Sequence, residues 1–361
     1  EYPLAIALAC TLLPARKPAD GGFHWSDVAL PLALACAFAL LITAGIRPFT
    51  YGAMATILYL QAVGLILYLF HERPIRFGLG VAAVLIASPM LHLPDRVLEQ
   101  HRSFFGVHRV MFTGRERLML SGTTNHGVQS VDPALKCEPL SYYSRGGPVG
   151  QLFAGLPGEI GTRRIGVVGL GTASMAAYAQ PGQRWTFYEI NPSVERLARD
   201  PQYFTYLRDC APQARVVTGD ARLKLAEEPD GSFDLLFLDA FSSDAIPVHL
   251  MTVEAMELYF RKLAPGGVLA LHISNRFLSL TPVVSAITRY VGLFGVVQAH
   301  VPTERQLAVS AEIVPSRWAV VARRTSDLGT LATDERWRSL DDFDGPAWTD
   351  DYSNVLSVLQ R

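Results

Sequence analysis

Residues suited to chemistry recur in the second half of the sequence, each directly after a short apolar run. In chain order they are Gly169, Gly171, Glu189, Asp220, Ala221 and Asp239. The two glycines let a ligand approach the backbone closely, and an acid about twenty residues beyond such a turn is placed to bind ribose hydroxyls. A lone Gly-x-Gly marks a tight structural turn about as often as it marks a ligand site. Glu189 taken alone could equally be a solvated carboxylate at the end of a strand. Together the two features predict a nucleoside-binding site.

The segment 239–244 places two carboxylates in one short loop. Paired carboxylates in a pocket can differ in proton affinity, so that one acts as a general base while the other holds a cation. We expect Asp239 to be the base and Asp244 to contact the substrate, although Asp244 is equally well explained as an N-cap of the helix near Thr252. The Asp220-Ala221 pair suits recognition of an adenine amino group.

Seven predicted strands position these residues. They cover 165–169, 185–189, 215–218, 233–239, 268–273, 295–299 and 318–322, and helices are predicted near 174–179, 192–199, 221–226 and 252–263. This alternation is typical of a doubly wound, mainly parallel α/β sheet, in which ligands bind beyond the carboxyl ends of the strands. Runs 107–112 and 117–122, joined by a turn at Thr113 and Gly114, predict a β-hairpin ahead of the sheet.

The first 94 residues supply most of the apolar excess. The 361-residue chain is 50% hydrophobic and only 18% charged, whereas roughly a quarter of the residues of a soluble protein are charged. Runs 28–46 and 48–70 lack charges and approach the ~20 residues that span a bilayer, so they predict two transmembrane helices. Run 77–93 contains Pro89 and His92 and predicts either a third span or an interfacial helix.

The organisation expected from these patterns has four parts. They are transmembrane helices at 1–94, a β-rich segment at 95–156, a Rossmann-like nucleoside-binding domain of the class I methyltransferase type at 157–324, and a tail at 325–361. Since Glu1 lies inside an apolar run, we expect residues 1–94 to be the end of a longer membrane region, with lipid as a partner. The net charge of −1 argues against nucleic acid as a partner. The cysteine and histidine spacings predict neither a disulfide framework nor a metal site.

Several longer runs extend these motifs: Arg102-Ser-Phe-Phe-Gly-Val-His-Arg-Val110, Gly122-Thr-Thr-Asn-His-Gly-Val-Gln129, Pro139-Leu-Ser-Tyr-Tyr143, Gly169-Leu-Gly-Thr172, Tyr188-Glu-Ile-Asn191, Asp239-Ala-Phe-Ser-Ser-Asp244 and Trp348-Thr-Asp-Asp-Tyr-Ser353. Together they resemble spermidine synthase-like proteins, and more closely the bacterial subgroup in which such a domain is fused to a membrane region. The resemblance covers nearly all of the second half of the chain. It implies an integral protein of the bacterial inner membrane. Because the nucleoside cofactor of such a domain is supplied in the cytosol, we expect the catalytic domain to be cytoplasmic.

The resemblance also implies an activity and residue roles. Spermidine synthases transfer an aminopropyl group from decarboxylated S-adenosylmethionine to putrescine, release methylthioadenosine, use no metal and commonly dimerise. Carried over by motif, Asp239 is the general base, Glu189 binds the ribose and Asp220 binds the adenine. Tyr142 or Tyr143 lies near the amine, and Gln129 lines the pocket. His126, Asp350 and Asp351 are further candidates for substrate binding. The structural alternatives are that His126 is an isolated histidine without a role in binding, and that Asp350 and Asp351 form a solvated acidic turn.

Two departures from the family pattern leave the identity of the donor molecule open. The loop Gly169-Leu-Gly-Thr-Ala-Ser174 lacks the acid that would hold the cationic amine of the donor, and Phe104-Phe105-Gly106 replaces a Tyr-Gln pair. Intact S-adenosylmethionine is therefore an alternative donor, for methyl transfer or another sulfonium displacement. A sensor or transporter that binds a nucleoside or polyamine without turnover is a third reading. Retention of Glu189, Asp220 and Asp239 favours an enzyme.

Overall fold

The structure is a computed structural model, and it describes residues 2–12, 24–44, 46, 53–92, 96–122, 124–157, 163–240 and 247–359. Two compact units divide the chain, Glu1–Asp95 and Arg96–Arg361. The predicted site residues all lie in the second unit.

The first unit consists of apolar helices. They are α1 (Tyr2–Thr11), α2 (Ser26–Thr43), α3 (Ala53–Phe70) and α4 (Pro74–His92). Of the described residues, α2 alone forms a helix long and apolar enough to cross a membrane, while Met54–Phe70 and Pro74–Ser88 are shorter apolar stretches. Two full spans were predicted, and one described helix has the required length and hydropathy. A helix of this kind also occurs in soluble cores and in signal sequences.

A buried ion cluster fixes the direction of these helices. Asp27, at the start of α2, is 4% exposed, and its carboxylate lies 3.0 Å from the Arg73 guanidinium and 2.9 Å from that of Arg76. Pairing is what makes a buried carboxylate tolerable. Since Arg76 lies in the first turn of α4, α2 and α4 begin at the same end of the unit and run parallel, with α3 antiparallel between them in the chain.

The second unit opens with a four-stranded antiparallel meander. Its strands are β1 (Arg96–Ser103), β2 (Gly106–Phe112), β3 (Glu116–Ser121) and β4 (Thr124–Ser130), paired in chain order. The predicted hairpin corresponds to β2 and β3. The outer strands escaped prediction because segments such as Arg96-Val-Leu-Glu-Gln-His-Arg-Ser103 mix charges into the strand and show little alternation.

An eight-stranded sheet follows, in the order β12-β10-β11-β9-β8-β5-β6-β7. Its strands are β5 (Arg164–Val168), β6 (Arg184–Glu189), β7 (Arg215–Thr218), β8 (Phe233–Leu238), β9 (Leu263–His272), β10 (Phe294–His300), β11 (Ser316–Ala322) and β12 (Arg338–Ser339). The five strands from β9 to β7 pair in parallel, whereas β10, β11 and β12 pair antiparallel. The predicted Rossmann-like α/β fold is confirmed, with antiparallel strands added at one side.

Helices and buried side chains cover both faces of this sheet. The helices are α5 (Pro148–Gly155), α6 (Pro192–Arg199), α7 (Tyr206–Asp209), α8 (Ala221–Glu227), α9 (Val253–Lys262), α10 (Thr281–Tyr290) and α11 (Glu304–Val309). Along β8, Leu235 and Phe237 enter one core cluster and Leu236 and Leu238 enter the other. Strands buried on both faces read as continuous apolar runs, which is why they were predictable. Trp348, from the tail, is fully buried in the second cluster.

Cys137 and Cys210 form a disulfide, contrary to the expectation that the cysteines imply none. Their Cα atoms are 5.8 Å apart and 73 residues separate them in the chain. The bond joins the segment after β4 to the end of α7. Sequence spacing could not reveal it because the fold, rather than a local motif, brings the two cysteines together.

Candidate active site

The turn after β5 requires its glycines. Gly169 has φ +95°, and a Cβ there would lie 2.2 Å from the Asp239 carbonyl oxygen. Gly171 has φ +52°, and its Cβ would lie 2.2 Å from the carbonyl oxygen of His126 in β4. Both positions need left-handed backbone as well as close approach, which glycine alone supplies without strain. The turn therefore packs against β8 and the meander, and a short 3₁₀ helix (Ser174–Tyr178) follows it where a helix was predicted.

A cavity of about 330 Å³ lies beyond the carboxyl ends of β5, β6, β7 and β8. We call it the donor cavity. Its lining includes Gly169, Gly171, Glu189, Asp220, Ala221 and Asp239, together with His126 and His108 from the meander. The residues predicted from strand ends thus converge on one site, as expected of a sheet of this topology.

Glu189 is held rigidly at the edge of the donor cavity. Its side chain accepts hydrogen bonds from the backbone N–H groups of Leu170, at 3.0 Å, and Asn191, at 2.8 Å. Burial raises the pKa of this carboxyl, while the backbone donors act in the opposite direction. Each oxygen keeps acceptor capacity after these bonds, so the carboxylate is positioned to take two hydroxyl groups, as a ribose offers.

Asp220 both caps a helix and faces the donor cavity. One carboxylate oxygen accepts a hydrogen bond from the N–H of Leu223 in the first turn of α8, at 3.0 Å. The other lies 3.1 Å from Nε2 of His249. The backbone of Ala221 begins the helix beside it. This geometry combines an oriented carboxylate with a backbone edge, the pairing expected for an adenine amino group and ring nitrogen.

Asp239 is a buried carboxylate with two side-chain partners. Its side chain is 4% exposed, and Oδ1 lies 2.7 Å from Nδ1 of His272 at the end of β9. Oδ2 accepts a hydrogen bond from the Tyr143 hydroxyl. Two hydrogen-bond donors from different elements therefore orient one carboxylate. A general base must be fixed in position in this way.

Aromatic rings surround this carboxylate. The ring of His272 stacks between Tyr142, with centroids 4.5 Å apart, and Trp318, at 4.8 Å. Burial, and then the charge of Asp239, raises the pKa of both the Tyr142 and the Tyr143 hydroxyl well above the usual value. Both phenols therefore stay protonated at physiological pH, and Tyr143 remains a hydrogen-bond donor to Asp239.

A second cavity, of about 630 Å³, is also lined by Asp239. We call it the acceptor cavity. Asp239 and His126 line both cavities, and Tyr142 and His272 also line this one. The ends of β9 and β10 and the start of β11 complete it. The structure thus provides two adjoining compartments with a buried carboxylate at their junction.

Other predicted residues lie elsewhere. Gln129 is buried outside both cavities, where its amide donates to the Lys136 carbonyl at 2.8 Å and to the Thr205 hydroxyl at 3.0 Å. Asp350 accepts two hydrogen bonds from Arg222, at 2.7 and 2.6 Å, and lines neither cavity. Asp351 is exposed beside it. Asp244 falls outside the described residues.

His272 was missed by the sequence analysis. Its signal was the same as that of Glu189 and Asp239: a polar residue at the carboxyl end of a predicted strand. It lies near the end of run 268–273, but an isolated histidine with no motif gave no reason to select it. No cluster of three or more His, Cys, Asp or Glu suited to a metal occurs among the residues described.

Part of the chain is similar in sequence to a known protein. A polyamine aminopropyltransferase of Vibrio vulnificus is 35% identical over 130 residues, which are 35% of this chain and 41% of that protein. The resemblance to the spermidine synthase-like family is confirmed. The chain thus spans less than half the length of this curated relative. No family model matches the chain.

A solved structure carries the same fold. It is a probable spermidine synthase from Corynebacterium glutamicum, with a TM-score of 0.51 and 17% identity, and the match covers 71% of this chain and 96% of that one. At this identity the likeness establishes the fold alone. In this chain the meander and the eight-stranded sheet belong to one compact unit, Arg96–Arg361.

Proposed function

We propose that the unit Arg96–Arg361 is a transferase that moves an aminopropyl group from decarboxylated S-adenosylmethionine to putrescine or a related amine. The observation that carries the proposal is the junction of the donor and acceptor cavities at the buried carboxylate of Asp239. A binding protein without turnover needs a nucleoside cavity, but it gains nothing from a carboxylate fixed by two donors at the boundary of a second cavity.

The proposed reaction is one displacement. The amine nitrogen forms a bond to the aminopropyl carbon next to the sulfonium, the C–S bond breaks with its electrons going to sulfur, and methylthioadenosine leaves. The proton of the attacking ammonium passes to Asp239. Tyr143 and His272 hold the carboxylate in place, and the stacked rings of Tyr142 and His272 exclude water from the acceptor side.

In the donor cavity, Glu189 would bind the ribose, Asp220 and Ala221 the adenine, and Gly169 and Gly171 would let the sulfonium approach the backbone. His126 would contact substrate from the meander. The loop Gly169-Leu-Gly-Thr-Ala-Ser174 carries hydroxyls in place of the family acid, and those of Thr172 and Ser174 bond each other at 2.7 Å. This observation favours a second candidate function, a transferase that uses intact S-adenosylmethionine for methyl transfer or another displacement.

We also propose that the first unit inserts in lipid. Only 17% of the α2 window is buried, and large apolar side chains of α2 and α3 are exposed, among them Leu32 at 60%, Leu40 at 70% and Met54 at 70%. Contiguous exposed apolar surface of this kind marks an interaction with a membrane or another protein. Lipid is the partner that fits helices whose outer surface is apolar along their length.

A product assay tests the activity. The purified full chain in detergent is incubated with each donor, with and without putrescine, and products are identified by mass spectrometry. Methylthioadenosine with an aminopropylated amine, formed only from the decarboxylated donor, is the expected result. Adenosylhomocysteine from the intact donor would instead establish the second candidate, and donor binding without any product would overturn both.

A further inference from the structure

The charges lining the acceptor cavity are unlike those that a diamine requires. Two arginines, Arg276 and Arg317, line it, and Asp239 is the single carboxylate among its described lining residues. A diamine such as putrescine carries a second ammonium that gains most from a second acid. The other charged side chains of the described lining are cations.

Of the three acids expected from the sequence to contact substrate, Asp350 and Asp351 lie elsewhere, and Asp244 falls outside the described residues. Asp350 is paired with Arg222 and also accepts a hydrogen bond from the Thr252 hydroxyl at 2.8 Å. Asp350 and Asp351 are absent from the described lining of the acceptor cavity. Within the described lining, the charged side chains other than Asp239 are those of Arg276 and Arg317, and these like charges disfavour the distal ammonium of a diamine.

The two arginines are available to a ligand. Within the described part of the chain, the guanidinium groups of Arg276 and Arg317 form no ion pair within 4.0 Å. The backbone around Arg317 is fixed, because its N–H donates to the Ser274 hydroxyl at 2.7 Å and its carbonyl accepts from the N–H of Ile273 at 2.9 Å. Guanidinium groups bind carboxylates through paired hydrogen bonds.

We propose that the physiological acceptor is an amine that also carries a carboxylate. Its amine faces Asp239, and its carboxylate is bound by Arg276 and Arg317. This proposal rests on the proposed function and narrows its acceptor from amines in general to amino acid-like amines.

Matched acceptors test it on the full chain. Ornithine is putrescine with one added carboxylate, and 4-aminobutyrate replaces one ammonium of putrescine with a carboxylate. With the decarboxylated donor, kcat/KM for the better of these two is expected to exceed that for putrescine by about tenfold to a hundredfold, the range of one or two charge-assisted hydrogen bonds. Calorimetric titration of the same amines into protein saturated with methylthioadenosine gives a readout that does not need turnover.

Variants assign the effect to the cavity. Arg276→Gln and Arg317→Gln are each expected to reduce the carboxylate preference about tenfold. The matched control is Arg305→Gln, an exposed arginine on α11 outside both cavities, which should leave the preference unchanged. The same preference in binding and in turnover supports the proposal.

The contrary outcomes separate the two proposals. Tighter binding and faster transfer for putrescine, insensitive to Arg276→Gln and Arg317→Gln, would overturn the carboxylate acceptor and leave aminopropyl transfer standing. A carboxylate preference in titration without transfer from either donor would overturn the proposed function and keep the anion site. A carboxylate requirement seen only with the intact donor would assign the arginines to the donor's own carboxylate, and that also overturns the proposal.

Discussion

Nδ1 of His272 lies 2.7 Å from Oδ1 of Asp239, so that two residues from the ends of neighbouring strands, β8 and β9, form one unit. The imidazole is stacked between Tyr142 and Trp318 and has little freedom to turn away. A carboxylate held in this way keeps one face for the incoming amine. The predictions below follow from this unit and from the elements that support it.

Asp239→Asn should lower kcat by roughly 10² to 10⁴, the usual contribution of a general base, because an amide cannot accept the proton of the amine. Tyr143→Phe should cost less, about tenfold, since it removes a donor to the carboxylate but leaves the base. Steady-state kinetics with the decarboxylated donor measure both. Asp341→Asn, an exposed acid outside both cavities, is the matched control, and an Asp239→Asn enzyme with full turnover would exclude the base.

His272→Asn should reduce kcat about tenfold and leave KM for the donor nearly unchanged, because His272 positions Asp239 and lines only the acceptor cavity of the two. Tyr143 still donates to the carboxylate in this variant, so kcat should fall less than in Asp239→Asn. A kcat equal to that of the unaltered enzyme would show that His272 does not position the base.

Affinity for the donor should decrease at acidic pH because Glu189 becomes protonated. Burial raises the pKa of this carboxyl above its ordinary value of 4.5, and the ribose hydroxyls need the ionised form as acceptor. Affinity for methylthioadenosine should therefore be full near neutral pH and decline as pH falls, with a midpoint above 4.5. Glu189→Gln should weaken binding about tenfold to a hundredfold and abolish this pH dependence. An unchanged pH profile in the variant would assign the acid limb to another group.

Loss of the Cys137–Cys210 bond should destabilise the second unit by roughly 2 to 4 kcal/mol, since the closed loop is long. Thermal unfolding of the full chain with and without reductant, and of Cys137→Ser, measures this. Cys36→Ser, which removes a free cysteine, is the control and should leave the melting temperature unchanged. Equal melting temperatures for oxidised and reduced protein would show that the bond does not form.

The disulfide predicts that the second unit lies in an oxidising compartment, rather than in the cytoplasm expected from donor supply, because disulfides persist in oxidising compartments. Alkaline phosphatase fused after Arg361 should therefore be active. An inactive fusion would place the second unit in the cytoplasm. An active fusion would require that the donor be supplied outside the cytoplasm.

Much of the fold could be predicted because its signals are local. Run 233–239 is apolar because both faces of β8 are covered, and Glu189 and Asp239 stand at strand ends where topology alone brings them together. The antiparallel addition of β10 to β12 and the strand β1 carry no comparable local pattern.

The partners of the site were harder to predict. His272 and Tyr143 meet Asp239 across 33 and 96 residues of sequence, and Cys137 meets Cys210 across 73. Residue type and spacing identify which side chain can do chemistry. They do not identify which distant side chain will hold it, because that depends on packing between elements.

The contact between the glycine turn and the meander limits how this unit can be altered. A Cβ at Gly127 would lie 2.0 Å from the Thr172 hydroxyl, just as one at Gly171 would meet the His126 carbonyl. Each surface is shaped to the other's backbone, so neither can accept a side chain on its own. A chimera that takes its acceptor specificity from a relative should therefore exchange β4 and the turn 169–174 as one cassette, because a graft of either segment alone brings two mismatched backbones together.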